Sequence, residues 1–458
     1  MYSENPEKDL NRKIFGEDFI WGISSSAPQS EGAWNEDNRG HSIWDVFSEE
    51  KKRILNKHTP KTASEFYHRY KEDIAIIKSL NIPNFRFSLS WSRILPEGIG
   101  KINQYGIDFY NRVIDECLAQ NIQPWITLYH WDLPLAHSNN GGWTNREIIR
   151  WFEEYTTVCI QAFGDRVKHW MILNEPMVFT GAGYFLGVHA PGKKGLKNFL
   201  PSVHHAVLCQ AIGAKVIKNE FSEAEVGSTF SCSYITPNSN SSKDKSAAKR
   251  IDTLLNRLFI EPALGLGYPI KELPLLKKIE KYMYPGDEYS MKADFDFIGL
   301  QNYTREVVKH SYIVPYLQAK LIPANKRKVY HTVMDWEVYP EAIYEMIKKF
   351  SDYRDIKKII ITENGAAFHD KVENERVNDK ERINFLSKYI SEVYRAKEER
   401  HKVSGYFVWA LTDNFEWTEG YHPRFGLVHV DFETQKRIVK ESGIWYKKFL
   451  NGKETRRV

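Results

Sequence analysis

Cysteine is scarce in this chain. Its four residues, Cys117, Cys159, Cys209 and Cys232, are far apart, with no Cys-x-x-Cys pair. Neither a disulfide framework nor a zinc site is indicated, and the usage fits a reducing compartment. Long apolar runs are missing as well. None approaches the roughly 18 residues needed to span a bilayer, so no membrane partner is expected. The opening Met1-Tyr2-Ser3-Glu4-Asn5-Pro6 is polar and acidic, without the apolar centre of a secretion signal. The expected location is therefore the cytoplasm. Excess charge of one sign is also lacking. The net charge is +5 over 458 residues, with no basic stripe of the kind nucleic acid requires. No Gly-x-Gly-x-x-Gly follows an early strand, which disfavours an open dinucleotide-binding sheet. No internal repeat is present.

What the chain has is apolar and aromatic side chains: 42% hydrophobic residues, 14% aromatic, 13 Trp and 25 Tyr. Most must serve core packing, and the remainder offers flat stacking faces. Strand-like runs alternate with helix-length amphipathic segments throughout. The predicted strands are Phe19 to Ile23, Asn84 to Ser88, Trp125 to His130, Val167 to Glu175, Glu225 to Phe230, Phe297 to Tyr303, Ile359 to Glu363 and Gly405 to Ala410. Helices are predicted through Ser64 to Leu80, Asp108 to Gln120, His204 to Asn219, Asp379 to Arg395 and Gly443 to Leu450. Alternating strands and helices imply a parallel sheet, and eight strands suggest closure into a single α/β (β/α)8 barrel domain spanning residues 1–458. The stretch Thr236 to Lys249, rich in Ser, Asn and Lys, reads as a mobile loop, and Lys309 to Tyr330 as an irregular insertion.

Two of these strands deliver a glutamate to their tips. Ile359-Ile360-Ile361-Thr362-Glu363-Asn364-Gly365 is a β-branched run fit for burial on both faces, ended by a carboxylate and a glycine. Trp170-Met171-Ile172-Leu173-Asn174-Glu175-Pro176 has the same form, with Pro176 barring extension of a central strand. Either glutamate alone could be a solvated strand end. As a pair they are the minimum apparatus for cleaving a glycosidic bond. In such a barrel the strand tips gather on one face, where active sites are built. Gln29, His130-Trp131, Asn174-Glu175, Tyr303, Glu363, Trp409 and Glu416-Trp417 would meet there. Polar and aromatic groups so collected suit a hydroxyl-rich, flat-faced ligand.

These residues resemble glycoside hydrolase family 1, the β-glucosidase family. The resemblance runs from about Phe15 to Phe449. It rests on Phe19-Ile20-Trp21-Gly22 with Gln29-Ser30-Glu31-Gly32, Tyr129-His130-Trp131-Asp132-Leu133-Pro134, Asn174-Glu175-Pro176, His189-Ala190-Pro191-Gly192, Ile361-Thr362-Glu363-Asn364-Gly365, and Asp413-Asn414-Phe415-Glu416-Trp417 with Arg424-Phe425-Gly426. It implies a retaining exo-acting β-glycosidase that hydrolyses terminal β-D-glycosyl residues, without metal or organic cofactor. The implied partner is a β-glycoside or short β-linked oligosaccharide. Glu363 would be the nucleophile and Glu175 the general acid/base. Arg86, at the tip of the second strand, would keep Glu363 ionised, and Tyr303 would donate a hydrogen bond to it. Gln29, His130, Trp131, Asn174, Trp409, Glu416 and Trp417 would hold the sugar, with Asn174 facing the 2-hydroxyl. Trp336 would be the platform for the leaving group. Retention needs the two carboxyl groups roughly 5–5.5 Å apart.

The chain departs from the family pattern in two places. Gln301-Asn302-Tyr303 stands where Asn-Tyr-Tyr is usual, and Asp335 stands where a glycine often precedes the platform tryptophan. Asp335 could alter which leaving groups are accepted. Two alternatives stay open at this point: a 6-phospho-β-glycosidase, which Glu416 would oppose by repelling phosphate, and a catalytically silent sugar-binding barrel. Glucose, galactose or fucose preference, and oligomeric state, are not legible.

Overall fold

The computed structural model describes residues 10–453. Its centre is eight parallel strands: β1 (Ile20–Ser24), β2 (Asn84–Ser88), β3 (Gln123–Tyr129), β4 (His169–Asn174), β5 (Glu225–Ser231), β6 (Phe297–Gln301), β7 (Ile359–Asn364) and β8 (Val403–Trp409). Each pairs with its neighbour in chain order, and β8 pairs with β1 to close the barrel. The closing register sets Ile20 opposite Gly405 and Ser24 opposite Trp409. Closure removes the exposed sheet edges that invite aggregation. Inside the barrel Trp125, Met171, Phe297, Ile360 and Phe407 form a compact plug. Gly22 admits it: a Cβ there would lie 2.2 Å from the Phe407 ring.

Helices occupy the return path between strands, because an outward strand face of β-branched residues must be covered. The helix Ile148–Phe163 shows how. It buries Ile148, Trp151, Phe152, Tyr155, Cys159, Ile160 and Phe163, a three-to-four-residue spacing that makes one apolar stripe. The helices Phe66–Ser79, Gln104–Ala119, Leu196–Glu220, Glu341–Ser351, Lys380–Glu398 and Glu441–Leu450 complete the outer layer. All four cysteines are buried and unbridged. Among the described residues, no helix is long and apolar enough to cross a membrane.

Two expectations for the long insertions are corrected. Residues 236–249 are not a loop. Tyr234–Pro237 is a strand and Ser242–Asp252 a helix. The Ser241 hydroxyl caps that helix, accepting from the Asp244 N–H at 3.2 Å. Its inner face, Ala247, Ala248 and Ile251, is buried on Val308 and Ala319. Those two belong to the strands Arg305–His310 and Ala319–Leu321, which with Tyr234–Pro237 form a small three-stranded sheet. The segment 309–330 is therefore half regular. Strand ends also shift. β6 stops at Gln301 because the Asn302 side chain donates to the Cys232 and Thr304 carbonyls, at 2.8 and 3.0 Å, and ties the departing backbone to the exit of β5. β4 stops at Asn174, since Glu175 turns into the left-handed region at φ 46°.

Candidate active site

At the C-terminal ends of the strands lies a cavity of about 310 Å³. Gln29, His130, Trp131, Glu175, Tyr303, Trp336, Glu363, Trp409, Glu416 and Trp417 all line it. Three of the residues around it, Trp131, Glu175 and Trp417, hold φ between 46° and 78°. Non-glycine residues in that region cost about 1–3 kcal/mol each and persist where the surroundings dictate them.

Glu363 ends the apolar run of β7 and is 3% exposed. Each of its oxygens has a partner. Arg86 Nη1 donates to Oε1 at 2.5 Å, and the Tyr303 hydroxyl donates to Oε2 at 2.7 Å. Arg86 does not sit at a strand tip, as expected, but in the middle of β2. Its long stem crosses the barrel interior from there, and Nε lies 3.0 Å from Met171 Sδ. Burial holds the Glu363 carboxyl above its ordinary value, and the Arg86 charge with the Tyr303 and Arg86 hydrogen bonds offsets only part of that rise. Glu175 differs. Among the described residues it has no ion pair. Burial first, then the charge of Glu363, pushes its carboxyl up to about 8, against weaker pulls from Ser231 and Arg86. When two buried carboxyl groups compete for a proton beside one arginine, the proton rests on the one without the arginine. That is Glu175.

Two predicted contacts lie behind the cavity wall. Asn174 and Arg86 are fully buried and do not line the cavity. Asn174 Oδ1 accepts from Arg86 Nη2 at 2.7 Å, Thr229 Oγ1 at 2.8 Å and Gln301 Nε2 at 2.8 Å. Its Nδ2 faces His130 Nε2 at 3.0 Å. With its oxygen taken three times over, Asn174 braces Arg86 and His130. Gln301, one methylene longer than asparagine, is thus used for bracing. Asp335 turns away: its Oδ1 accepts from the Asn325 N–H at 2.9 Å, outside the cavity.

The far end of the cavity gathers polar groups. Gln29 Nε2 donates to Glu416 Oε2 at 3.3 Å and Asn414 Oδ1 at 3.2 Å. Burial, then Glu363 and Glu419, pushes the Glu416 carboxyl up to about 8. The His130 and Trp409 rings stack 5.9 Å apart at 22°, and Trp131 lies 4.4 Å from Trp417. The Tyr303 and Trp336 rings are 5.2 Å apart at the opposite side. Burial lowers His130, and lowers His189 to about 4, so both imidazoles are neutral. Several lining residues were not foreseen, among them His189, Ser231, Glu306, Met334, Glu419 and Phe425. His189 and Phe425 did lie inside matched motifs. Glu306 and Met334 are carried by insertions, where no periodicity marks an inward side chain. Among the described residues, no lysine or arginine lines the cavity, and no cluster of three or more His, Cys, Asp and Glu side chains could hold a metal ion.

The chain is similar to known proteins over nearly its whole length. The 1,4-beta-D-glucan glucohydrolase of Thermotoga neapolitana is 43% identical, over 95% of this chain and 97% of its own length. Beta-glucosidase A of Thermotoga maritima is 42% identical, over 95% and 98%. A solved structure of the Thermotoga maritima β-glucosidase in complex with glucoimidazole superposes with a TM-score of 0.92 at 41% identity, covering 96% of this chain and 99% of that one. The family model for Glycosyl hydrolase family 1 matches residues 11–455, and the chain belongs to that family.

Proposed function

We propose that this protein is a retaining, exo-acting β-glucosidase that removes terminal β-D-glucosyl residues by double displacement, with Glu363 as nucleophile and Glu175 as general acid/base. The observation that carries the assignment is the asymmetry of the two buried carboxyl groups. Glu363 is held by Arg86 and Tyr303, which favours its ionised, nucleophilic form. Glu175 makes no ion pair among the described residues and is pushed up to about 8, by burial first, which favours a protonated acid at neutral pH. In the first step Glu363 attacks the anomeric carbon while Glu175 gives its proton to the departing oxygen. In the second, Glu175 takes a proton from water, which displaces Glu363 from the glycosyl-enzyme. Arg86 and Tyr303 stabilise the released carboxylate. The sugar lies toward Gln29 and Glu416, against Trp409.

Among the described residues no lysine or arginine lines the wall, which speaks against a phosphorylated sugar, because a desolvated phosphate there would have no counter-charge. The test is initial rates on 4-nitrophenyl β-D-glucoside, galactoside, fucoside and glucoside 6-phosphate. Turnover of the unphosphorylated sugars, glucoside included, is expected. Turnover confined to the 6-phosphate, or of none, overturns the reading.

A further inference from the structure

The cavity holds a carboxyl group that the double displacement does not use. Glu306 lies on the strand Arg305–His310, at the outer wall with Ser233, Thr304 and Trp336. That wall is built from residues that follow β5 and β6. Gln29 and Glu416 follow β1 and β8, on the opposite side of the barrel. With the sugar against Gln29 and Glu416, the leaving group must pass Glu175 and run out along Glu306.

Glu306 is partly buried, and among the described residues it has no ion pair and no side-chain hydrogen bond. Arg327, whose charge acts on Glu306, and Arg305, its neighbour on the strand, are both committed elsewhere. Arg305 makes a bidentate pair with Glu337, Nε to Oε2 at 2.8 Å and Nη2 to Oε1 at 2.9 Å. Arg327 Nη1 reaches the same Glu337 Oε2 at 2.5 Å. One glutamate thus takes both guanidinium groups and its neighbour is left to the cavity. Burial pushes the Glu306 carboxyl up to about 7, against the pull of Arg327. The cavity wall carries no lysine or arginine among the described residues that could answer it. A half-desolvated carboxylate in such a place is best satisfied by a cation that arrives with the ligand.

From this placement we infer that Glu306 selects the leaving group by charge, favouring β-glucosides whose leaving group carries an ammonium and disfavouring those that carry an acid. The inference rests on the β-glucosidase reading. Its test is a series that differs only in the charge at one end of the leaving group: the β-D-glucosides of 4-(aminomethyl)phenol, 4-(hydroxymethyl)phenol and 4-hydroxybenzoic acid. Wild-type kcat/KM should fall in that order, with about 5- to 10-fold between the first two, carried by KM. Glu306→Gln should bring that ratio toward one. Glu306→Lys should invert the order, a change that mere loosening of the wall would not produce. Equal kcat/KM for all three in wild type, or ratios unmoved by either substitution, overturns the inference and leaves the activity standing. Failure of wild type to hydrolyse any of the three overturns both.

Discussion

Two buried glutamates differ in one respect that the proposed mechanism uses: Arg86 makes an ion pair with Glu363 and, among the described residues, none is made with Glu175. Two variants separate their roles. Glu363→Ala should lower kcat by about four orders of magnitude or more on every β-glucoside, since the covalent route is lost; near wild-type rates would remove Glu363 from the mechanism. Glu175→Ala should cost about 10²- to 10⁴-fold on alkyl glucosides and far less on dinitrophenyl glucosides, whose leaving groups depart without a proton. Equal losses on both would exclude Glu175 as the acid. The same burial acts on stability. Folding raises the Glu175 carboxyl from its ordinary range to about 8. Between those values the native protein holds a proton that the unfolded chain has released, so this group erodes stability as pH rises from about 4.5 through 8. Glu175→Gln escapes that erosion. Its melting temperature relative to wild type should rise by a few degrees between pH 5 and pH 9, and a constant difference across that range would contradict the shift. Both glutamates were legible because an apolar strand that ends in Glu-Asn-Gly or Asn-Glu-Pro is locally distinctive. The retreat of Asn174 behind the wall was not. It depends on three donors from β2, β5 and β6 converging on one oxygen, which sequence order does not reveal.

At the scale of elements, the loop that carries Glu416 and Trp417 is fastened by a buried ionic cluster. Asp413 Oδ1 accepts from Lys440 Nζ at 2.7 Å and from the Gly426 N–H at 3.0 Å, and its Oδ2 accepts from Arg424 at 3.1 Å. Lys440 also pairs with Asp370, which Arg382 holds from the other side. Burial works to raise the Asp413 carboxyl, but Lys440, His429 and Arg424 hold it well below the usual carboxylate range. Lys440→Met leaves two carboxylates without their ammonium and should cost about 3–5 kcal/mol in stability. Where the variant still folds, KM for glucosides should rise more than kcat falls, because under the proposed reading the loop holds the sugar and not the reacting atoms. An unchanged denaturant midpoint would refute the cluster's role. All eight barrel strands were found in sequence, with ends off by a residue or two, because β-branched runs announce themselves. The helix Ser242–Asp252 was missed for the opposite reason: its composition is that of solvated chain, and only the small stripe Ala247, Ala248 and Ile251 gives it a reason to fold, against a sheet from farther along the chain.

At the scale of the whole molecule, one interior shared by eight strands should unfold together. Far-ultraviolet circular dichroism and tryptophan fluorescence melts are expected to coincide, and two separated transitions would divide the chain into units. The closure of the barrel carries a further consequence. Gln29 and Glu416, which touch at the far end of the cavity, are 387 residues apart, and they meet only where β1 pairs with β8. A chain growing on the ribosome can therefore complete most of its strands and still lack the far end of the cavity. Competence arrives in one event, when the last strand docks beside the first. During refolding, turnover should be the last signal to return, later than helix content and later than tryptophan burial, which makes the enzyme's own activity a clock for the moment its two ends join.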